Sequence, residues 1–459
     1  MSDPFTPIEA KMRAAALPDA LISVFRRHYE AYRAGESGRI PWGELDPPEA
    51  ADIIDAGETE RFREAGTKLL DKLVVIKLNG GLGTTMKLDG PKSLIPVREG
   101  RCFLELVAEQ IRRLRERHGA RTPLLLMDSF NTQQESLALL ERIGFSQQPE
   151  DLPLDFLQHR VPRIVRESGA PLSLGGEADW APPGHGDIYL ALWASGLLDR
   201  LLDEGYEWAF VSNVDNLGAT VDTGLLGYLD ASEIEFAMEV TDKTAADKKG
   251  GTLARRAGRL MLLERAQVEP ERIADFEDIE VLSVFNTNSL WWRLDALRSR
   301  LAQGTLELPL IVNPKKVRGV EVVQLETAMG AAVGSFDNAA GIRVPRTRFA
   351  PVKSTSDLLA VSSDAYIVDD AGGVRPNPAR DAALGPPLIE LDAAFYKGAG
   401  ELAERFPSPP SLVRCRSLRV HGDVTFGRDV TIVGDVEIRA DAPARLEDGR
   451  RLDNETVTL

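Results

Sequence analysis

A chain of 459 residues with 43% hydrophobic and 27% charged side chains has the composition of an ordinary globular enzyme, and the length for a large domain plus a smaller one. Its formal net charge of −16 argues against a generic nucleic-acid binder, which would present a basic face, but leaves room for anionic ligands held by a local cluster of cations. Two cysteines, Cys102 and Cys415, and five scattered histidines fall in no metal-ligand spacing, which argues against a zinc site and fits reduced thiols in a cytoplasmic protein.

The first twenty residues carry charges throughout and have no apolar core of a signal peptide. Nowhere do about 18 apolar residues follow one another, so no membrane span is expected. Residues 1 to about 60 mix helical apolar spacing with loop signals such as SGRIPWGELDPPEA, and are expected as helices lying against the main domain. Leu73 to Leu78 is short, apolar and rich in β-branched residues, a buried strand. Phe103, Leu104, Val107, Ile111 and Leu114 share one face of a helix. Leu124 to Met127 is strand-like again, and Asn131 begins a helical stretch. Leu190, Trp193, Leu197 and Leu201 mark one helix before the strand Trp208 to Val211. Strand alternating with helix predicts a mostly parallel sheet covered on both faces. Between about 232 and 320 shorter alternating runs extend the sheet and build a pocket. From 368 to 411 the chain is rich in Pro, Gly and Ala and is expected as a surface tether. Beyond it, Val420, Val424, Phe426, Val430, Ile432, Val436 and Ile438 recur at spacings of two and four with Gly422, Gly427 and Gly434 between them, which suits a small β-helix or, alternatively, a hairpin.

The segment VVIKLNGGLGTTMKLDGPKSLIPV, Val74 to Val97, is the most informative. Gly80, Gly81 and Gly83 follow a strand directly, where their N–H groups could approach phosphate oxygens. The pattern is neither the Walker sequence nor the dinucleotide fingerprint. Gly90-Pro91-Lys92-Ser93 close behind forms a rigid turn that presents one compact positive charge.

LNGGLGTTM followed by GPKS resembles the UDP-glucose pyrophosphorylase family in its eukaryotic-type branch. So do LLLMDSFNT, FLQHRVPRI, PPGHGDIY, FVSNVDNLGATVD, MEVTDKTAADKKGGTL, LLERAQV, FNTNSLW, VVQLETAMGAA and VPRTRFAPVKSTSDLL, in that order, from about residue 70 to 366. The resemblance implies a Rossmann-like, GT-A-like α/β nucleotidyltransferase: a mixed sheet with helices on both faces, plus a small C-terminal left-handed β-helix. The corresponding division is an N-terminal helical segment (1–70), a catalytic domain (71–367), a linker (368–411) and the β-helix (412–459).

The resemblance also implies roles. Lys92 and Lys353 are the catalytic lysines, at the UTP phosphates and near the α-phosphate. Leu78, Asn79, Gly80, Gly81 and Gly184 line the nucleotide, and Gln158 reads the uracil edge, since an amide offers a donor and an acceptor together. Asp215 holds Mg²⁺, a hard cation suited to oxygen ligands and substrate phosphates. His185 and Asn213 lie near the sugar phosphate, and Gly250, Gly251, Glu264 and Asn288 near the hexose. Arg346 and Arg348 either add positive potential or form salt bridges. The implied reaction joins UTP and glucose 1-phosphate into UDP-glucose with release of pyrophosphate, in a monomer or a homo-oligomer formed through the C-terminal domain. Lys87-Leu88-Asp89 departs from the family's usual loop, the first 70 residues match poorly, and the chain stops sooner than eukaryotic members. Two other readings stand beside this one: a UDP-N-acetylhexosamine pyrophosphorylase, whose loop would carry arginine where Thr85 stands, and a non-catalytic UDP-sugar sensor, which would be expected to lose Lys92, Asp215 or Lys353.

Overall fold

The computed structural model describes residues 3–244, 247 and 250–459, so residues 245, 246, 248 and 249 of the block MEVTDKTAADKKGGTL lie outside the described residues. Eight strands make the central sheet: β1 (Ile53–Asp55), β2 (Leu73–Leu78), β3 (Leu124–Asp128), β4 (Asp155–Leu157), β5 (Trp208–Asn213), β6 (Phe236–Asp242), β7 (Val284–Arg293) and β8 (Ala339–Arg343). Their order across the sheet is β1-β8-β6-β7-β5-β2-β3-β4. Every pairing is parallel except those of β7, which runs antiparallel to both β5 and β6. The sheet is therefore mixed and mostly parallel, with helices on both faces.

The strands are apolar almost without interruption because both faces are covered. Along β2, Leu73 and Val75 join a core that includes helix Phe103–His118, while Val74 and Ile76 join a second core with helices Ile188–Ala194 and Leu197–Asp203. The same alternation splits the tryptophans of β7. Trp291 stacks on Phe210 at 4.3 Å between ring centroids in the first core, and Trp292 meets Tyr189 at 5.1 Å in the second. Upstream of them, the register with β6 shifts: Glu239 faces Ser289 but Val240 faces Asn286, leaving Thr287 and Asn288 as a bulge.

Three expectations need correction. Residues 1 to about 60 are not only helices lying against the main domain, because the β-branched pair Ile53-Ile54 joins the central sheet as its edge strand β1, parallel to β8. Leu190 to Leu201 is two helices rather than one, because Gly196 takes a left-handed φ of 75° between them, a conformation glycine adopts at no steric cost. The stretch 368–411 is no bare tether. It carries strand Leu388–Leu391, which pairs in parallel with Ser411–His421, and helices Ala393–Tyr396 and Ala399–Arg405. Its prolines and glycines make turns, while buried Tyr396, Leu402 and Phe406 tie it to the first core; Phe406 stacks on Phe426 at 4.3 Å.

The C-terminal strands are paired in parallel, which removes the hairpin reading. Ser411 faces Thr431 and Thr431 faces Arg451, so paired residues lie 20 apart in sequence from 411 to 431 and again from 431 to 451. Val420, Val424, Phe426, Val430, Ile432, Val436 and Ile438 are all buried within it. At the other end of the chain, helices Thr6–Ala14 and Asp19–Arg33 seat Phe5, Phe25 and Tyr29 against Val161, Ile164 and Val323. Among the described residues no helix is long and apolar enough to cross a membrane.

Candidate active site at the carboxyl edge of the sheet

Seven of the eight strands point the same way, so β2, β3, β4 and β5 deliver their following residues to one edge, where open α/β sheets bind ligands. Leu78 and Asn213 are paired neighbours there. Asn79, just beyond Leu78, is fixed from below: its backbone N–H donates to the Met127 carbonyl at 2.9 Å, and its amide donates to Asp128 Oδ1 at 2.7 Å and Ser136 Oγ at 2.8 Å. Gly81 is exposed at the rim. The chain then folds back on itself, with Gly83 N–H on the Gly90 carbonyl and Lys92 N–H on that of Gly81, each at 3.1 Å. Lys92 thereby returns beside the start of the loop, and its ammonium forms an ion pair with the largely buried Asp215. Lys87, in the departing triplet, bonds Glu401 of the helix at 399–405 at 2.6 Å, which anchors the far tip of the loop on the C-terminal part of the chain.

Gln158 follows β4, its N–H donating to the Asp128 carbonyl at 2.7 Å and its side-chain Nε2 to the Gly184 carbonyl at 2.8 Å. Gly80 lies directly against its Oε1. Gly184 has φ 82°, and a Cβ there would strike the Thr327 backbone, so no other residue fits without displacing that strand end. Two residues that the sequence reading did not single out complete this side. Asp187 accepts from the His159 backbone N–H at 2.7 Å, and its other oxygen lies 2.9 Å from His159 Nδ1.

His185 stands on the same turn. Its Nδ1 accepts the Met329 N–H at 3.0 Å, so the ring proton of the neutral form sits on Nε2, and burial pushes its pKa down to about 4. The neutral ring contributes stability that is complete above the unfolded value near 6.5 and is lost as pH falls toward 4. His185→Leu should therefore remove roughly 2–3 kcal/mol of the stability lost between pH 7.5 and 4.5, as measured by denaturant unfolding at the two pH values.

Across the cleft mouth from Leu78, Asn288 occupies the β7 bulge with φ 60° and donates Nδ2 to Asn213 Oδ1 at 2.9 Å. Its own Oδ1 is buried and, among the described residues, has no partner, an acceptor that a ligand hydroxyl could satisfy. Gly250 lies against Phe285 and Gly251 against the Glu264 carboxylate. Burial pushes the Glu264 pKa up, and the nearby Lys353 ammonium holds the rise back. Asn216 accepts the Ala350 N–H at 3.0 Å and pairs with Pro351, which sets the segment carrying Lys353 beside the Asp215 turn. Lys353 is exposed and, among the described residues, makes no side-chain hydrogen bond. Arg346 and Arg348, by contrast, are neutralised: Arg346 bonds Asp247 at 2.9 Å, and Arg348 forms a fork on fully buried Glu239 at 2.7 and 2.9 Å. Among the described residues, Lys92, Arg346 and Arg348 are each paired with a carboxylate and Lys353 is not.

Among the described residues no group of three or more His, Cys, Asp or Glu could hold a metal ion by itself. Asp215, paired with Lys92 beside the glycine loop, is a single carboxylate, a donor set that fits only a cation whose other ligands come from a bound anion.

Comparisons with known proteins show which family the whole chain resembles. The family described as UTP–glucose-1-phosphate uridylyltransferase matches residues 22–433. A UTP–glucose-1-phosphate uridylyltransferase of Solanum tuberosum is 46% identical over 434 residues, covering 93% of this chain and 90% of that protein. One from Dictyostelium discoideum is 41% identical over 427 residues, covering 91% and 84%. Among solved structures, a mutant UDP-glucose pyrophosphorylase of Leishmania major in complex with UDP-glucose superposes with a TM-score of 0.91 at 37% identity and full coverage of both chains. A UDP-glucose phosphorylase of Trypanosoma brucei gives 0.90 at 39%, again over the full length of both.

Proposed function

The chain belongs to the UTP–glucose-1-phosphate uridylyltransferase family, and we propose how its own residues carry out that activity, the conversion of UTP and glucose 1-phosphate to UDP-glucose and pyrophosphate. The observation that carries the assignment is the extent of the match, residues 22–433, a span within which the cleft lies. A non-bridging oxygen of the sugar 1-phosphate attacks the α-phosphorus of UTP in line. A P–O bond forms there as the bond from the α-phosphorus to the bridging oxygen breaks, and the electron pair leaves with pyrophosphate. The nucleophile is already an anion, so neither a general base nor a covalent enzyme intermediate is needed. The protein's task is positioning and neutralisation of charge.

In this reading Lys92 leaves Asp215 for the incoming UTP phosphates, next to the backbone of Gly80 and Gly81, with Leu78 and Asn79 as the floor. Lys353 neutralises the reacting α-phosphate from the opposite side. Asp215 is the residue that would hold a Mg²⁺ ion, which would supply further neutralisation of the same charge. Gln158 and Gly184 take the uracil. The His185 Nε2–H and Asn213 meet the sugar phosphate, and Gly250, Gly251, Glu264 and Asn288 surround the hexose, with Asn288 Oδ1 accepting a hydroxyl. The stacked C-terminal coil is read as a left-handed β-helix and as the surface for any homo-oligomer. Two unpaired, buried thiols support a cytoplasmic setting.

Pyrophosphate release from UTP and Mg²⁺ with a panel of sugar 1-phosphates tests the reading. Glucose 1-phosphate is expected to be the best substrate. Faster turnover of N-acetylglucosamine 1-phosphate would move the chain to the hexosamine enzymes, and UDP-glucose binding without any turnover would make it a sensor.

A further inference from the structure

Gln158 carries an amide whose two ends are chemically opposite, so its orientation decides which base edge it can pair. In the structure that orientation is fixed by one bond, Nε2–H to the Gly184 carbonyl at 2.8 Å. Oε1 is left facing the cleft beside Gly80, with no protein donor on it among the described residues. An amide held this way offers Oε1 to the N3–H of uracil and its second Nε2–H to a uracil carbonyl. Cytosine presents the reverse, an unprotonated N3 and an amino group. To pair with it the amide would have to turn over, which would bring Oε1 against the Gly184 carbonyl, acceptor to acceptor. The Gly184 carbonyl therefore acts against the wrong base, provided it stays in place.

Two residues hold it there. Asp187, on the same turn, is 5% exposed, and both of its oxygens are taken by His159, the residue after Gln158. One accepts the backbone N–H of His159 at 2.7 Å and the other lies 2.9 Å from its Nδ1. The Asp187 N–H in turn reaches the Gly184 carbonyl at 3.3 Å. The strand end at 158–159 and the turn at 184–187 are thus joined by two arms, one through Gln158 and one through His159.

We propose that Asp187 and His159 are positioning residues for base selection: their clamp holds the Gly184 carbonyl against the Gln158 amide and makes the pocket accept uracil and refuse cytosine. The inference rests on the reading above that Gln158 faces the base. Neither residue touches the nucleotide; both act through the orientation of Gln158.

The test is kcat/KM for UTP and for CTP at saturating glucose 1-phosphate, with a thermal melt to confirm folding. Asp187→Ala and His159→Leu should each lower the UTP-to-CTP ratio about 10- to 100-fold, the range a hydrogen bond to a charged group commands. KM for UTP should rise while KM for glucose 1-phosphate stays within about twofold, a split that general loosening of the fold would not produce. His159→Asn, which keeps an N–H donor for Asp187, should restore most of the ratio. A fall in activity with an unchanged ratio in both Asp187→Ala and His159→Leu would overturn the inference. If Asp187→Ala does not fold, the His159 pair decides alone. Gln158→Glu separates the two levels. If it leaves the ratio unchanged, the reading of Gln158 itself fails; if it collapses the ratio while Asp187→Ala and His159→Leu do not, only the clamp is wrong.

Discussion

Replacing Lys353 with alanine should lower kcat about 10²–10³-fold at saturating UTP and glucose 1-phosphate, the usual cost of losing one preorganised electrostatic contact to a transition state. The expectation follows from how little else Lys353 does. It is exposed, it makes no side-chain hydrogen bond among the described residues, and its segment is held by Asn216 through backbone contacts that do not involve its side chain. Removing the ammonium should therefore leave the melting temperature almost unchanged. Arg346 and Arg348 are near in sequence but cannot substitute, because each is already neutralised by a carboxylate. Steady-state kcat beside a thermal melt checks the point; full kcat in a folded variant would remove Lys353 from the chemistry. The Glu264 carboxyl offers a second readout. Lys353 restrains its upward shift, so its pKa should climb further in the variant.

Arg348→Met is expected to act on folding instead, costing about 3–5 kcal/mol, the penalty for leaving a buried charge without its partner. Glu239 is fully buried and receives two guanidinium bonds, at 2.7 and 2.9 Å, together with the Trp291 indole N–H at 2.9 Å. Lys77 lies in the same core, donating to Ser212 Oγ at 2.6 Å, and its pKa is pushed down to about 7 by burial and then by Arg348, against the pull of Glu239. Deleting Arg348 removes a repulsion and leaves the attraction, so the Lys77 pKa rises. The variant then binds a proton at Lys77 at a pH where the parent protein does not. Its stability deficit should accordingly be largest at alkaline pH and shrink as pH falls toward about 7. Urea unfolding of both proteins across that range would show it. A deficit under 1 kcal/mol would mean that water or Lys77 already compensates Glu239.

The contrast between these two cations shows what the sequence could and could not disclose. Strands β2, β3 and β5 were legible because a short apolar run between turn signals is a local property. The glycine loop and the rigid Pro91-Lys92 turn were legible for the same reason. Lys77 was not, because a lysine inside the run Val74 to Leu78 gives no local sign that its ammonium meets Ser212 and the charge of a pair formed by residues 239 and 348. His159 and Asp187 escaped likewise: each looks unremarkable until the edge strand and the turn are brought side by side. The stretch 368–411 misled for the converse reason. Its prolines and glycines are abundant and its anchors few, yet four buried apolar residues, Val374, Tyr396, Leu402 and Phe406, tie it to the core. Composition counts residues, whereas packing weighs where they land.

The adjacent indoles of β7 impose a rule of parity on the pocket. Trp291 belongs to one layer of the molecule and Trp292 to the other, and the bulge at Thr287 and Asn288 stands just ahead of them. Side chains on a strand alternate, so lengthening or shortening the bulge by one residue would send each indole through the sheet to the wrong layer. Changing the identity of the bulge residues does no such thing. The bulge can thus be rewritten by exchange of amino acids, while its length is frozen by two rings buried in opposite layers.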